Sequence, residues 1–379
     1  MLMHSRFAQT FAHRGASSKM MPPSVPSSRP AVPASNGVSK PDVSVRSYPH
    51  AGNQALVDRK AIGKAEFIRP EDGKAVMDDI DCIIFDCDGV LWRGFNTIPN
   101  SPETLKDLRA RGKKLLFVTN NAGKSRKGYV KRFTSVGLDV SPDEIVPASF
   151  AAAAYLDSIN FKATGKKALC IANSGTEEEL QEHGIPYIGG EKWREPLLDS
   201  ADKIKDLVID ENIGAVVVGF DGLLSYSRIV YASCCLRELP GCLFVVTNVD
   251  PNDNLGQPTK APFNQQPLRR MMPVTGTMVQ SIAHPTGKQP VIAGKGGSWL
   301  FPYLMAKYNL NPQRTAMVGD RLDTDIVLGA EGGLKTIMPL TGVTTLEELE
   351  DAKKVAGQPG ALPIPDYVIN TVATLAGLP

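Results

Sequence analysis

Cys82-Ile83-Ile84-Phe85-Asp86-Cys87-Asp88-Gly89-Val90-Leu91 is the stretch that decides the fold. Its first four residues are an apolar run, rich in β-branched and aromatic side chains, which predicts a buried strand. Two carboxylates one residue apart follow it, and Gly89 permits the sharp turn that leaves both just past the strand end. In open α/β sheets, ligands bind at the ends of strands. Asp86 and Asp88 are therefore candidate catalytic acids, close enough to share a metal ion and one substrate.

Three further apolar runs end in the same manner. Lys114-Leu115-Leu116-Phe117-Val118 ends in Thr119-Asn120-Asn121, and Pro290-Val291-Ile292-Ala293 ends in Gly294-Lys295-Gly296-Gly297. Thr315-Ala316-Met317-Val318 ends in Gly319-Asp320-Arg321-Leu322-Asp323-Thr324-Asp325. Four such strands in one sheet would gather Asp86, Asp88, Thr119, Lys295, Asp320 and Asp325 along one edge. Leu334–Met338 and Asp366–Ile369 predict later strands. Ser101-Pro102-Glu103 predicts a helix start with Ser101 as its cap, and Gly112 its end. Ser141–Glu144 and Thr344–Glu347 have capping-box spacing. Strands alternating with helices imply an α/β fold with a doubly wound parallel sheet.

In order and content these motifs resemble those of the haloacid-dehalogenase-type phosphatases, and most closely the phosphoglycolate and p-nitrophenyl phosphatase branch. Val118-Thr119-Asn120-Asn121 and Gly319 to Ile326 are especially similar to the plant and algal phosphoglycolate phosphatases. The resemblance runs from about residue 75 to about residue 375. It implies a Rossmann-like core with an inserted α/β cap. About 170 residues separate Asn121 from Gly294, whereas one βα step needs only about 30. The expected organisation is a core of residues 75–162 and 289–379 with a cap over 163–288. Capped relatives also imply a homodimer through the cap.

The resemblance assigns Asp86 as the nucleophile and Asp88 as the general acid and base. It gives phosphate to Thr119, Asn120 and Lys295. It places Mg²⁺ on the Asp86 carboxylate, the Asp88 backbone carbonyl and Asp320, with Asp325 steadying Lys295 or metal-bound water. Mg²⁺ suits such oxygen donors. Asp323 competes with Asp325 for that role and is expected to be a solvated acid. The relatives carry Pro after the lysine where this chain has Gly296, which loosens the loop and leaves Ser298 as the expected helix cap. In the cap, Gly219-Phe220-Asp221, Tyr226, Arg228 and Thr247-Asn248-Val249-Asp250 resemble segments that fold the cap or face the substrate. Arg269 and Arg270 read as a solvated basic pair, with attraction of a substrate carboxylate as the alternative. Asn252 to Gln266 predicts a loop.

The implied activity is Mg²⁺-dependent hydrolysis of 2-phosphoglycolate in the chloroplast, clearing the oxygenation by-product of carbon fixation. The alternatives are phosphatases of pyridoxal 5′-phosphate, glycerol 3-phosphate or, broadly, p-nitrophenyl phosphate. A non-catalytic phospho-receiver module fits less well, because it needs neither Asp88 nor a large cap.

Composition narrows the partners. The chain has 379 residues, a net charge of +2 and 42% hydrophobic residues, so neither nucleic acid nor an anionic membrane is expected. No apolar run approaches the roughly 20 residues that span a bilayer. The cysteines form no CxxC pair, which argues against a zinc site. Cys87 lies between the two acids, where oxidation would disturb them. Residues 1–41 contain no Asp or Glu but carry Arg6, Arg14, Lys19, Arg29 and Lys40 among many Ser, Ala and Pro. That composition predicts a transit peptide over about residues 1–50, with a disordered Pro/Ser-rich part, for a plastid or alternatively a mitochondrion.

Overall fold

The computed structural model describes residues 63–254 and 271–379. The expected transit segment, Arg269, Arg270 and much of the Asn252–Gln266 stretch lie outside the described residues. In chain order the strands are β1 (Glu66–Phe67), β2 (Cys82–Phe85), β3 (Trp92–Arg93), β4 (Asn96–Thr97), β5 (Lys114–Thr119), β6 (Ile145–Pro147), β7 (Lys167–Ile171) and β8 (Tyr187–Gly189). They continue with β9 (Ile213–Val218), β10 (Leu243–Val246), β11 (Asn252–Asn254), β12 (Met271–Pro273), β13 (Val291–Ile292), β14 (Thr315–Val318), β15 (Lys335–Pro339) and β16 (Tyr367–Ile369).

Seven strands form a parallel sheet in the order β1-β16-β15-β14-β2-β5-β6. The chain winds outward from β2 in both directions, so the switch point falls between β2 and β14, where ligands bind in such sheets. Phe85 stands opposite both Val318 and Phe117. β14 and β2 therefore end level while β5 runs two residues further to Thr119, and the residues that follow these strands emerge at one edge of the sheet.

Alternation along β2 serves two cores. Ile83 and Phe85 join Leu105, Phe117 and Phe133 on one face, while Ile84 joins Leu116, Val118 and Phe150 on the other. A strand covered on both faces is apolar throughout, which is why β2 shows no polar alternation. The Ala-rich helix Ala148–Ser158 is buried nearly all round. It shares one apolar cluster with Ile84 and Val118 of the first sheet and with Ala168, Cys170 and Ala215 of β7 and β9. Small side chains let the two sheets close on this helix from both sides.

The second sheet is also parallel, in the order β13-β10-β9-β7-β8. Here one expectation fails. Val291–Ile292 does not join the seven-stranded sheet but pairs with Val245 and Val246 at the edge of the second. A two-residue, half-buried strand carries too little pattern to choose a sheet, so long-range pairing decides.

Several local expectations shift as well. Ser101 is the first helical residue of Ser101–Ala110, after an N-cap at Asn100, because its hydroxyl donates to the Leu91 carbonyl at 2.9 Å. The second capping box is Thr345 with Glu348, one residue later than its predicted place. Ser298 caps nothing: the helix Leu300–Tyr308 follows Trp299 and has no side-chain cap. Gly296 has φ +94°, and a Cβ on Gly297 would lie 2.0 Å from the Ile292 carbonyl oxygen. The two glycines thus fit a tight reversal that keeps the Lys295 loop against its own strand.

Candidate active site

Asp86 prolongs the ladder past β2, its N–H donating to the Val318 carbonyl at 2.9 Å. The chain then turns at Gly89, φ +86°. A Cβ there would lie 2.7 Å from Asp320 Oδ2 and 2.9 Å from Gly342 Cα, so this position needs glycine for both its conformation and its space. The turn presents Asp88, whose two oxygens are both held. Trp92 Nε1 donates to Oδ1 at 3.0 Å and Asn121 Nδ2 to Oδ2 at 3.2 Å. Burial pushes the Asp88 carboxyl above the usual range, with Asp253 adding repulsion and these two donors opposing. A carboxyl raised in this way holds its proton more readily than a free one, as a general acid must.

Thr119 closes β5 and is buried. Its Oγ1 accepts the Asn121 N–H at 3.1 Å. Asn120 is a clamp between the two sheets. Its Oδ1 accepts the Lys295 N–H at 2.8 Å, and its Nδ2 donates to Asp250 Oδ1 at 3.0 Å. Its carbonyl accepts from Asn248 Nδ2 at 2.7 Å. Lys295 therefore reaches the site from the second sheet's edge, and Asn120 fixes its backbone there.

Lys295 Nζ is 2.5 Å from Asp86 Oδ1 and 2.7 Å from Asp325 Oδ1. Burial opposes the ammonium, but Asp325 and Asp86 outweigh it and hold its pKa above the usual lysine value. Asp320, following β14, is 1% exposed. Its Oδ2 accepts the Val343 N–H at 2.5 Å, while its Oδ1 has no hydrogen-bond partner. Carboxylate oxygens of Asp86, Asp320 and Asp325 all lie within 4.8 Å of one another. Burial pushes all three carboxyls up, Asp325 to about 6, with Lys295 pulling the other way. Three buried acids against one ammonium leave an excess of negative charge, and the unpartnered Asp320 oxygen faces it. Hard oxygen donors in that arrangement fit a divalent cation such as Mg²⁺.

A cavity of about 290 Å³ opens over this cluster. Asp86, Asp88, Thr119, Asn120, Lys295 and Asp320 line it, as do Phe220, Asn248 and Asp250 from the second sheet's strand ends. Asp325 lies beneath, against Lys295, as expected. Asp323 is bound to Arg321 and half exposed. Of the cap residues, Tyr226 is exposed and outside the cavity wall, and Arg228 is buried in ion pairs with Asp221 and Glu195, a part in folding the cap rather than in facing the substrate. Cys87 is fully buried, and burial together with Asp86 and Asp88 holds its thiol well above the usual value. The thiolate that oxidation requires is thus suppressed. Sequence reasoning missed Trp92 and Asn121 as holders of Asp88, and Arg321 and Thr324 as cavity residues. Asn121 alone left a signal, as the second amide after β5.

A family model described as haloacid dehalogenase-like hydrolase matches residues 83–186, and one described as HAD-hydrolase-like matches 292–375. The chain is 41% identical over 280 residues to the chloroplastic phosphoglycolate phosphatase 1A of Arabidopsis thaliana, covering 74% of each chain. It is 36% identical over 313 residues to the glycerol-3-phosphate phosphatase of Homo sapiens, covering 80% of this chain and 92% of that one. Its fold matches the crystal structure of a glycerol phosphate phosphatase from Mycobacterium tuberculosis in complex with magnesium. That match has a TM-score of 0.58 and 25% identity, and covers 79% of this chain and 77% of the other.

Proposed function

The chain belongs to the haloacid dehalogenase-like hydrolases and is a phosphatase, and from that premise we propose that it hydrolyses 2-phosphoglycolate to glycolate and phosphate. The observation that carries the chemistry is the Asp86–Lys295–Asp325 chain of contacts, at 2.5 and 2.7 Å, beside the unpartnered Asp320 oxygen. Asp86 attacks phosphorus and forms an aspartyl-phosphate as the ester oxygen leaves. Asp88, held by Trp92 and Asn121, gives that oxygen its proton. It then takes a proton from the water that attacks phosphorus, which releases phosphate and restores the Asp86 carboxylate. Lys295 and the Thr119 hydroxyl neutralise and orient the phosphoryl oxygens. The carboxylates of Asp86 and Asp320, with the Asp88 backbone carbonyl, would hold Mg²⁺, which supplies charge neutralisation when bound.

The substrate reading is supported by the 41%-identical plant relative. The same likeness supports a chloroplast location and a role in photorespiration. A second reading, glycerol 3-phosphate, draws on the human relative and on Asn173, Asn248 and Asp250 in the cavity wall, which suit hydroxyl groups. Association through the cap is part of the proposal, and exposed Leu197, Leu223 and Tyr226 on the cap support it. The test is steady-state kinetics on 2-phosphoglycolate, glycerol 3-phosphate, pyridoxal 5′-phosphate and p-nitrophenyl phosphate, with and without Mg²⁺. The expected result is the highest kcat/KM for 2-phosphoglycolate; a higher value for another physiological ester replaces the assignment.

A further inference from the structure

Two polar groups of the cavity wall have no part in the chemistry above. Thr324 is 5% exposed and its Oγ1 has no hydrogen-bond partner, although buried hydroxyls are nearly always paired. Arg321, three residues earlier, opens the same turn, Leu322–Ile326, and lines the same cavity. Lys295 and Arg321 are the two cations among the cavity-lining residues, and Lys295 is engaged by Asp86 and Asp325. Arg321 donates through Nε to Asp323 Oδ1 at 3.1 Å and through Nη2 to Asp323 Oδ2 at 2.8 Å. Asp323 is outside the cavity wall, and its side chain is 46% exposed. Arg321 is the more buried member, its side chain 15% exposed, so its fork stays in the wall while half-exposed Asp323 is the partner that can turn into solvent and yield the N–H donors.

The second sheet's side of the wall is neutral or acidic: Asn173, Asn248, Asp250 and Asp253. A substrate carboxylate turned that way would meet like charge. Turned toward Arg321 it meets a planar fork of N–H donors that matches its own two oxygens. Length agrees as well. In 2-phosphoglycolate a single methylene separates the ester oxygen from the carboxylate, so the two anionic subsites must adjoin. Arg321 directly follows Asp320, and consecutive Cα atoms are only about 3.8 Å apart.

Resting on the 2-phosphoglycolate reading, we infer that Arg321 and Thr324 form the subsite for the substrate carboxylate, which displaces Asp323 from the guanidinium. The experiment compares kcat/KM for 2-phosphoglycolate with that for ethyl phosphate, which has a methyl group in place of the carboxylate. The wild-type ratio should lie well above one. R321M should lower that ratio tenfold or more, mainly through KM for 2-phosphoglycolate. R321K, which keeps the charge but not the fork, should give an intermediate ratio. T324V should lower it by a smaller factor, and D323N, by freeing the guanidinium, should raise it. A wild-type ratio near one removes the 2-phosphoglycolate reading itself. A high wild-type ratio that survives both R321M and R321K overturns the subsite alone, as does an equal fall for the two substrates.

Discussion

Two clusters of opposite charges among the described residues, one around Arg228 and one around Lys295, differ in how completely their atoms are matched. In the second sheet's domain, Arg228 donates to Asp221 Oδ2 at 2.7 Å, to Glu195 Oε2 at 3.1 Å and to the Trp193 carbonyl at 3.2 Å. Asp221 Oδ1 accepts the Leu223 N–H, and Glu195 Oε1 accepts from Ser225. Each of these atoms has its partner. At the end of β2, Lys295 faces Asp86 and Asp325 with Asp320 alongside, and an Asp320 oxygen is left over. Both clusters contain more acid than base, and in the second burial lifts all three carboxyls. A satisfied buried network fixes a fold, whereas an unsatisfied one keeps binding capacity for a ligand.

The largest effect should separate the clusters by function. D86N and K295M should each lower kcat/KM by at least about a thousandfold, roughly 4 kcal/mol of transition-state stabilisation. R228M should instead leave buried Asp221 and part-buried Glu195 without their cation and cost about 3–5 kcal/mol of folding stability. Its turnover per folded molecule should stay at the wild-type value, so a catalytic defect in fully folded R228M would erase the distinction.

Metal titration sharpens the contrast. Mg²⁺ at about 100 times its Kd should stabilise the wild type by about 2.7 kcal/mol in a thermal melt, and chelation should abolish both this gain and turnover. D320N should show no such gain, and R228M should keep it.

Without metal, D320N should be more stable than the wild type. A carboxyl pushed up in the folded state binds more protons there than in the unfolded chain, so the wild type loses stability as pH rises. The gap between the two proteins should begin to widen as pH climbs past the ordinary value of 3.8, and denaturant melts across pH 4–8 measure it. A gap that narrows would reverse the assigned sign.

The smallest effect belongs to Asn121. Losing its 3.2 Å bond to Asp88 should cost about 1 kcal/mol, or about fivefold in kcat. Substrates with good leaving groups, which need less proton donation, should lose less. An equal loss for p-nitrophenyl phosphate and an alkyl phosphate would show that Asn121 does not act through Asp88.

Much of the first sheet was legible in advance. β2, β5 and β14 are continuous apolar runs that end in polar residues, because strands covered on both faces admit nothing else. Each catalytic candidate lies just past such a run, so its residue type and place could be read together. The partnership of β13 was hidden. Two half-buried residues have no periodicity to measure, and Val291 finds Val245 across about 45 positions of chain. Arg228 and Arg321 show the same limit for charge. Each is an arginine in a polar context, yet one is spent inside a folded network and the other faces the cavity.

The sequence by itself determined which acids follow which strands, and hence the chemistry of phosphoryl transfer, because local patterning and turn residues act over a few positions. Only the tertiary structure decided that Lys295 arrives from the second sheet, that Asn120 clamps it, and that Asp320 keeps an oxygen without a partner. Those facts arise from pairings between segments far apart in the chain, where burial sets the energy of each charge and no short stretch of residues records it.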